Sequence, residues 1–338
     1  MIHSKLWEEL ESETSGIYGQ GTLKRMVGKN IRYPMFFGIQ QPDWKRTFIL
    51  QVPKDKAPLP EDIVPSNGFD FKVMIVGDET KKEYVSLIVT VSNADYNEIF
   101  SSIADDLYVK LNTLVNINQI ISTFLSRVKL WQKFFEKQSA EGLSENAQKG
   151  LFGELYFLDN FVLTGHSFAR LLRCWIGSER HQHDFQFGDF SVEVKTTSSK
   201  KHQKLQIASE QQLDETSVNK LYLFFLSLSY IQNNKNTLPK LIKNIRNKLE
   251  LDPVSLDLFN NALLTRGYLD TQRSKYNNKG YTIRNFGFLI VKDMFPRIKE
   301  TDLRLGVGDV EYSISLDTCK GYQVPESDFF KDLSDITQ

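Results

Sequence analysis

Asp184, Glu193 and Lys195 are the residues whose types and spacing could do chemistry together. They lie in residues 183–195, where aromatic and β-branched residues alternate with polar ones on both sides of Gly188-Asp189. Gly followed by Asp is a favoured two-residue hairpin loop, with Gly supplying the positive φ of a type II′ turn. Such a loop fixes the register, so Phe187 faces Phe190, Phe185 faces Val192, Asp184 faces Glu193 and Gln182 faces Lys195. Side chains alternate along a strand, which puts Phe185, Phe187, Phe190, Val192 and Val194 on one apolar face. Asp184, Glu193 and Lys195 share the other.

Facing side chains across a strand pair have Cβ atoms about 4.5–5.5 Å apart, and like charges there are destabilising. A divalent cation offsets that repulsion. Hard oxygen ligands suit Mg²⁺, which is held by one or two carboxylates together with water and substrate phosphate. The hairpin therefore points to a metal site, and the metal to a phosphodiester substrate.

The elements that must position these residues come next. A break at residues 141–146 separates an N-terminal part from the hairpin, giving an expected division into 1–140 and 141–338. Residues 145–163 read as a buried helix, in which Gly150 and Gly153 each cost about 1 kcal/mol relative to Ala. Close approach to a sheet is the expected compensation for both. Glu154 is a charge on this otherwise apolar segment, and buried carboxylates are rare without a partner or metal. Lys149 or Arg173 could pair with it. Residues 168–176 read as a first strand, 205–208 as a short strand, and Ser209 to Gln212 as a capping box opening a short helix. The apolar run 221–230 reads as a strand covered on both faces, 238–251 and 254–267 as helices, and 281–291 and 309–316 as late strands.

The N-terminal part reads as a short acidic helix over 1–15, a Gly-rich connection, and strands at 35–40, 47–52, 69–76 and 84–91. Helices capped near Asn93 or Asp95 and near Asn116 or Asn118 follow. No catalytic constellation is visible there. Asp105 and Asp106 are adjacent on a helix, so a solvated face is the expected environment. The region reads as a recognition or support domain.

At 338 residues the chain can bury two cores, and 41% hydrophobic with 25% charged residues is an ordinary globular composition. Two cysteines permit no disulfide framework, the acidic N-terminus is no signal peptide, and the longest apolar run is too short for a bilayer. These features lead us to expect a cytoplasmic protein. Net charge is zero, but residues 195–284 carry 15 Lys/Arg against 7 Asp/Glu, while each flank has a net charge of −4. Localised positive charge beginning at the hairpin is the footprint of a phosphate-backbone binder, although solvated lysines on helix faces give the same count. The stretch 266–284 mixes Arg266, Arg273, Lys275, Lys279 and Arg284 with Tyr268, Tyr276 and Tyr281, which suits backbone contact with base stacking, as does a solvated loop.

The order of elements, with Glu154 on a helix, Asp184 on a strand, Glu193-Val194-Lys195 on the next, then a helix and a strand, resembles the PD-(D/E)xK nuclease superfamily. More narrowly it resembles bacterial PD-(D/E)xK-motif proteins associated with restriction and phage defence. The resemblance covers residues 144–231; His183-Asp184 stands where the family has Pro-Asp, while Glu-x-Lys is intact. It implies an α/β fold, a restriction-endonuclease-like mixed sheet flanked by helices, preceded by a smaller α+β domain. It also implies that Asp184, Glu193 and the Val194 carbonyl hold Mg²⁺, for which Mn²⁺ could substitute. By the same resemblance Glu154 ligates a second metal or fixes the first one's water shell, and Lys195 orients or deprotonates the attacking water. Lys200, Lys201, Lys204, Gln206 and Gln211 are the candidate nucleic-acid contacts.

Other constellations are weaker. Cys174, His181, His183 and His202 have no usual zinc spacing, and Gly306-Val307-Gly308 lacks the strand–glycine–helix context of a phosphate loop. The expectation is an Mg²⁺-dependent endonuclease acting on DNA, duplex above all, as a homodimer or with restriction or defence partners. The alternatives are a non-catalytic nucleic-acid-binding or assembly subunit with the same fold, and a nuclease for RNA or branched DNA.

Overall fold

A computed structural model describes residues 3–15, 19–28, 32–59, 66–75, 83–137, 141–163, 168–176, 182–199, 202–232 and 236–337. The chain divides into two compact units, Met1–Gly142 with Leu263–Thr271, and Leu143–Ala262 with Gln272–Gln338.

The first unit runs α1 (Ser4–Thr14), β1 (Gly21–Val27), β2 (Met35–Gln41), β3 (Lys45–Pro53), β4 (Phe69–Ile75), β5 (Tyr84–Val91), α2 (Asn97–Leu111) and α3 (Ile117–Lys137). The strands form an antiparallel sheet in the order β1-β2-β3-β5-β4. Alternating residues Phe37, Ile39, Phe48, Leu50, Leu87 and Val89 are buried in one core with Phe100, Leu107, Phe124 and Trp131 of the helices. Strand β1 is an edge strand whose side chains are mostly exposed, so its alternation carries little apolar signal, and the neighbouring glycines read as a connection. Asp105 and Asp106 are not solvated. Asp105 Oδ1 lies 2.7 Å from His3 Nδ1, and Asp106 accepts from Arg127 Nε and Trp131 Nε1, each at 2.8 Å. Adjacent helix positions do diverge, but here each direction meets another buried element.

The second unit contains α4 (Glu145–Phe157), a π-helical turn at Leu158–Val162, α5 (Phe168–Ile176), β6 (Phe185–Gln186), β7 (Phe190–Thr197) and β8 (Lys204–Ile207). A 3₁₀ turn at Glu210–Leu213 leads to β9 (Lys220–Gln232), α6 (Leu238–Lys248), α7 (Pro253–Thr265), β10 (Lys279–Val291), β11 (Tyr312–Ser315), β12 (Gln323–Val324) and α8 (Glu326–Thr337). The main sheet is mixed, in the order β12-β10-β9-β7-β6, with β7 and β9 parallel and the other pairs antiparallel. Strands β8 and β11 pair in a separate ribbon. One sheet face carries an aromatic core in which Phe157 and Phe161 meet Phe224 and Phe288, and Phe329 of α8 stacks on Phe288. The other face is covered by a smaller core that joins Leu223, Phe225 and Leu289 to Leu205, Ile207 and Ile314 of the ribbon.

Residues 168–176 form a helix and not the expected strand. Phe168, Leu171, Leu172 and Trp175 recur at helical spacing, and the last three are buried together. As a result β6 is the edge of the sheet. The helix 145–163 forms as expected, with Ser144 accepting from Ala147 N–H at its start. Its two glycines differ. A Cβ on Gly153 would lie 2.4 Å from Thr196 Cγ2, so the close approach to the sheet is made there, whereas Gly150 has nothing within 4 Å.

Candidate active site

The hairpin has the register its turn dictates. Phe185 pairs with Val192 and Gln186 with Ser191, Gly188 has φ +81°, and Phe187 N–H donates to the Phe190 carbonyl at 2.8 Å. Hydrogen-bonded and non-hydrogen-bonded pairs alternate in an antiparallel ladder, and the latter bring side chains closest. Counting outward from Phe187–Phe190, Asp184 and Glu193 fall at a close position. The ladder itself ends at Phe185–Val192. Beyond it the Asp184 carboxylate replaces a backbone acceptor, with Oδ2 receiving the Val194 N–H at 2.8 Å.

Glu193 is 1% exposed, and neither carboxylate oxygen has a hydrogen-bond partner of good geometry among the described residues. Its charged neighbour is an ammonium: Lys195 Nζ lies 2.8 Å from Oε1, and the Asp184 backbone N–H also faces the carboxylate. Lys195, two residues along the same strand face, also donates to Gln212 Oε1 at 2.7 Å. That oxygen receives Ala208 N–H at 2.8 Å as well, so the lysine is held from the turn after β8. On α4, Glu154 Oε2 accepts from Trp175 Nε1 at 2.8 Å, and the Trp175 ring stacks on Phe185 of the hairpin.

Burial raises the Asp184 pKa well above the ordinary carboxylate value, and the charges of Glu193 and Glu154 push it further the same way. Glu193 is also raised, by burial, with Lys195 pulling in the opposite direction. Burial alone would lower the Lys195 pKa, but Glu193, Asp184 and Glu154 outweigh it and the ammonium is held more firmly than usual. The site thus gathers three carboxylates around one cation. Such a cluster is short of positive charge.

The donor set fits a hard divalent ion. The buried Glu193 carboxylate and the half-buried Asp184 carboxylate converge, and the oxygens of the first have no hydrogen-bond partner of good geometry among the described residues. Among the described residues no three His, Cys, Asp or Glu side chains form a complete cage. Mg²⁺ does not need one, since it keeps waters and substrate phosphate in its shell.

The remaining expected contacts lie elsewhere. Lys204, Gln206 and Gln211 are exposed, the first two in the ribbon opposite Ser315 and Ser313, and none bonds to Asp184, Glu193 or Lys195. Lys200, Lys201 and His181 lie outside the described residues. Tyr268, Tyr276 and Tyr281 are buried and so cannot stack on bases. Gln212 was the residue to find. Its spacing from Ser209 suggests a capping box, but Ser209 makes no side-chain cap, and the Gln212 oxygen takes Ala208 N–H and Lys195.

A mixed sheet carrying a Glu-x-Lys on one strand and an Asp just before the adjoining strand, with a glutamate-bearing helix beside it, defines a restriction-endonuclease-like fold. The chain belongs to the family described as "Putative PD-(D/E)XK family member, (DUF4420)", whose profile covers residues 3–317. That membership gives it a nuclease-like fold and bears out the superfamily expected from the sequence. No curated protein and no solved structure matches the chain. Among the described residues no helix is long and apolar enough to cross a membrane.

Proposed function

We propose that the chain is a divalent-metal-dependent endonuclease that hydrolyses DNA phosphodiester bonds in the cytoplasm, within a restriction or phage-defence system. The observation that carries this reading is the buried Glu193 carboxylate, which has no hydrogen-bond partner of good geometry among the described residues and adjoins Asp184 and the Lys195 ammonium. Asp184 and Glu193, with the Val194 carbonyl, would hold Mg²⁺ or Mn²⁺, and Glu154 would ligate a second ion or order the water shell of the first. When bound, the metal supplies Lewis acidity at the phosphoryl oxygen and lowers the pKa of water.

The chain's own groups account for the rest. Lys195 keeps its proton, which suits it to orient the attacking water and to stabilise charge on the phosphorane-like transition state. Gln212 fixes the direction of that ammonium. Trp175 restrains Glu154. Lys200, Lys201, Lys204, Gln206 and Gln211 would contact the nucleic acid outside the centre. Cutting both strands calls for two centres, supplied by a homodimer or a partner subunit.

The test is a cleavage assay in Mg²⁺ or Mn²⁺ on duplex, single-stranded and branched DNA and on RNA, with Lys195→Ala alongside. Metal-dependent cleavage of duplex DNA by wild type and none by the variant is expected. Binding without hydrolysis under every condition would instead assign a non-catalytic subunit, and cleavage of RNA or branched DNA alone would move the substrate class.

A further inference from the structure

The two main sheets end in β1 and β4, and in β12 and β6. Strands β6 and β12 are two residues long, too short to accept a further strand, whereas β1 and β4 each run for seven. A long edge carries a row of backbone donors and acceptors open to pairing, which charged side chains, lysine above all, usually blunt. Strand β1 is blunted in this way. It carries Lys24 and Arg25 and no acid, and Arg25 is held by Glu9 at 3.0 Å and Glu13 at 2.6 Å. Strand β4 differs: it has one charge of each sign, Asp70 and Lys72, no proline, and an exposed apolar end at Met74 and Ile75. Among the described residues its only strand neighbour is β5.

The bonds to β5 fix which backbone groups of β4 face the open edge. Ser92 N–H donates to the Gly68 carbonyl at 3.1 Å, one step beyond the Phe69–Val91 pair. Hydrogen-bonded and non-hydrogen-bonded pairs alternate along an antiparallel ladder. The backbones of Asp70, Lys72 and Met74 therefore bond to β5, and those of Phe69, Phe71, Val73 and Ile75 turn outward.

A second copy of β4 offers the same outward groups, so in an antiparallel pairing odd residues must oppose odd ones. Two-fold symmetry then centres the pair on a single residue. Centred on Asp70 it sets two aspartates face to face, and centred on Lys72 two lysines; like charges directly opposite are destabilising. Centred on Val73 it neutralises neither charge. Centred on Phe71, Asp70 of each copy faces Lys72 of the other, twice over, at the non-hydrogen-bonded positions where side chains come closest. Both residues are exposed and have no ion-pair partner among the described residues.

We propose that β4 pairs with β4 of a second copy of this chain, antiparallel about a two-fold axis at Phe71, so that the two five-stranded sheets join edge to edge. Such a contact is isologous and closes at the dimer. One strand pair is smaller than the standard interface of about 1,600 Å², so the dimer is of micromolar strength. That it supplies the two centres needed to cut both strands rests on the endonuclease reading; the interface does not.

The test is sedimentation velocity at about 1–100 μM of wild type, Asp70→Lys, Lys72→Asp and the double exchange Asp70→Lys/Lys72→Asp. Wild type should dimerise within this range, and each single variant should weaken the dimer about ten-fold or more, because both pairs become like-charged together. The double exchange should restore the dimer, and an equimolar mixture of the two single variants should form a heterodimer. A wild type that stays monomeric, assembly beyond the dimer, or a dimer indifferent to the exchanges would overturn the proposal. Dimers with this charge pattern but no Mg²⁺-dependent cleavage would remove the endonuclease reading and leave the interface, whereas cleavage by a wild type that stays monomeric would do the reverse.

Discussion

The backbone N–H of Val194 donates to the carboxylate of Asp184 at 2.8 Å, just past the last ladder pair of the hairpin. This bond places Asp184 beside Glu193 although β6 is only two residues long. It also fixes which way the Asp184 side chain turns, since one oxygen is committed to the strand and the group is anchored at the close end of the hairpin. Asparagine keeps an oxygen for the same bond and removes the charge.

Asp184→Asn should therefore stabilise the metal-free protein. The native state holds the Asp184 proton to a higher pH than the unfolded chain does, because burial, Glu193 and Glu154 raise its pKa. Stability from this group is fully present below the unfolded carboxylate pKa of about 3.9 and is lost as pH rises through the raised native value. In EDTA the variant should melt with wild type at the acid end of that window and progressively above it as pH increases. A gain on the order of 1 kcal/mol corresponds to about 2–4 °C in Tm. A variant that melts below wild type at neutral pH would contradict the charge assignment.

Gln212→Leu should lower cleavage about ten-fold by freeing Lys195 from one side, with circular dichroism unchanged and Tm lowered by a few degrees. The lost contact is a hydrogen bond to a charged group, a class worth about 1.5–3 kcal/mol. Lys195→Ala should lower cleavage further, by about 10²–10⁴-fold. Equal rates for Gln212→Leu and wild type would show that Lys195 needs no such restraint.

Two glycine substitutions on α4 should have opposite signs. Gly150→Ala meets open space and should gain about 1 kcal/mol of helix propensity, read as a higher midpoint in urea. Gly153→Ala drives a methyl group to 2.4 Å from Thr196 Cγ2 and should cost about 1–3 kcal/mol. Because Thr196 follows Lys195 on β7, cleavage should fall with the second substitution and not with the first.

Trp175→Phe keeps an aromatic ring against Phe185 but removes the donor to Glu154. Loss of one hydrogen bond to this half-buried carboxylate costs about 1 kcal/mol. The expected result is a lower Tm in EDTA, with saturating Mg²⁺ restoring part of it if Glu154 meets a metal.

The hairpin was legible because its determinants are local: a Gly-Asp loop, strict alternation and a buried apolar face together allow one register. The long helices and β9 were legible for the same reason. The first strand was misread at 168–176, where a short segment supports either period and only its burial pattern shows a helix. Strand β1 escaped because an edge strand need not bury its side chains. Gln212 was misassigned because a capping box and a lysine clamp place the same residue types at the same spacing, and only Lys195, 17 residues earlier in sequence, distinguishes them.

The central claim is that Asp184 and Glu193 together form a metal-dependent hydrolytic centre. Its most direct measurement is duplex DNA cleavage as a function of Mg²⁺ concentration by wild type and by Asp184→Asn, a variant that should be folded and at least as stable. The account predicts Mg²⁺-dependent cleavage by wild type and a loss of about 10²-fold or more in the variant at saturating metal. Cleavage by Asp184→Asn at the wild-type rate and with the wild-type Mg²⁺ dependence would contradict it.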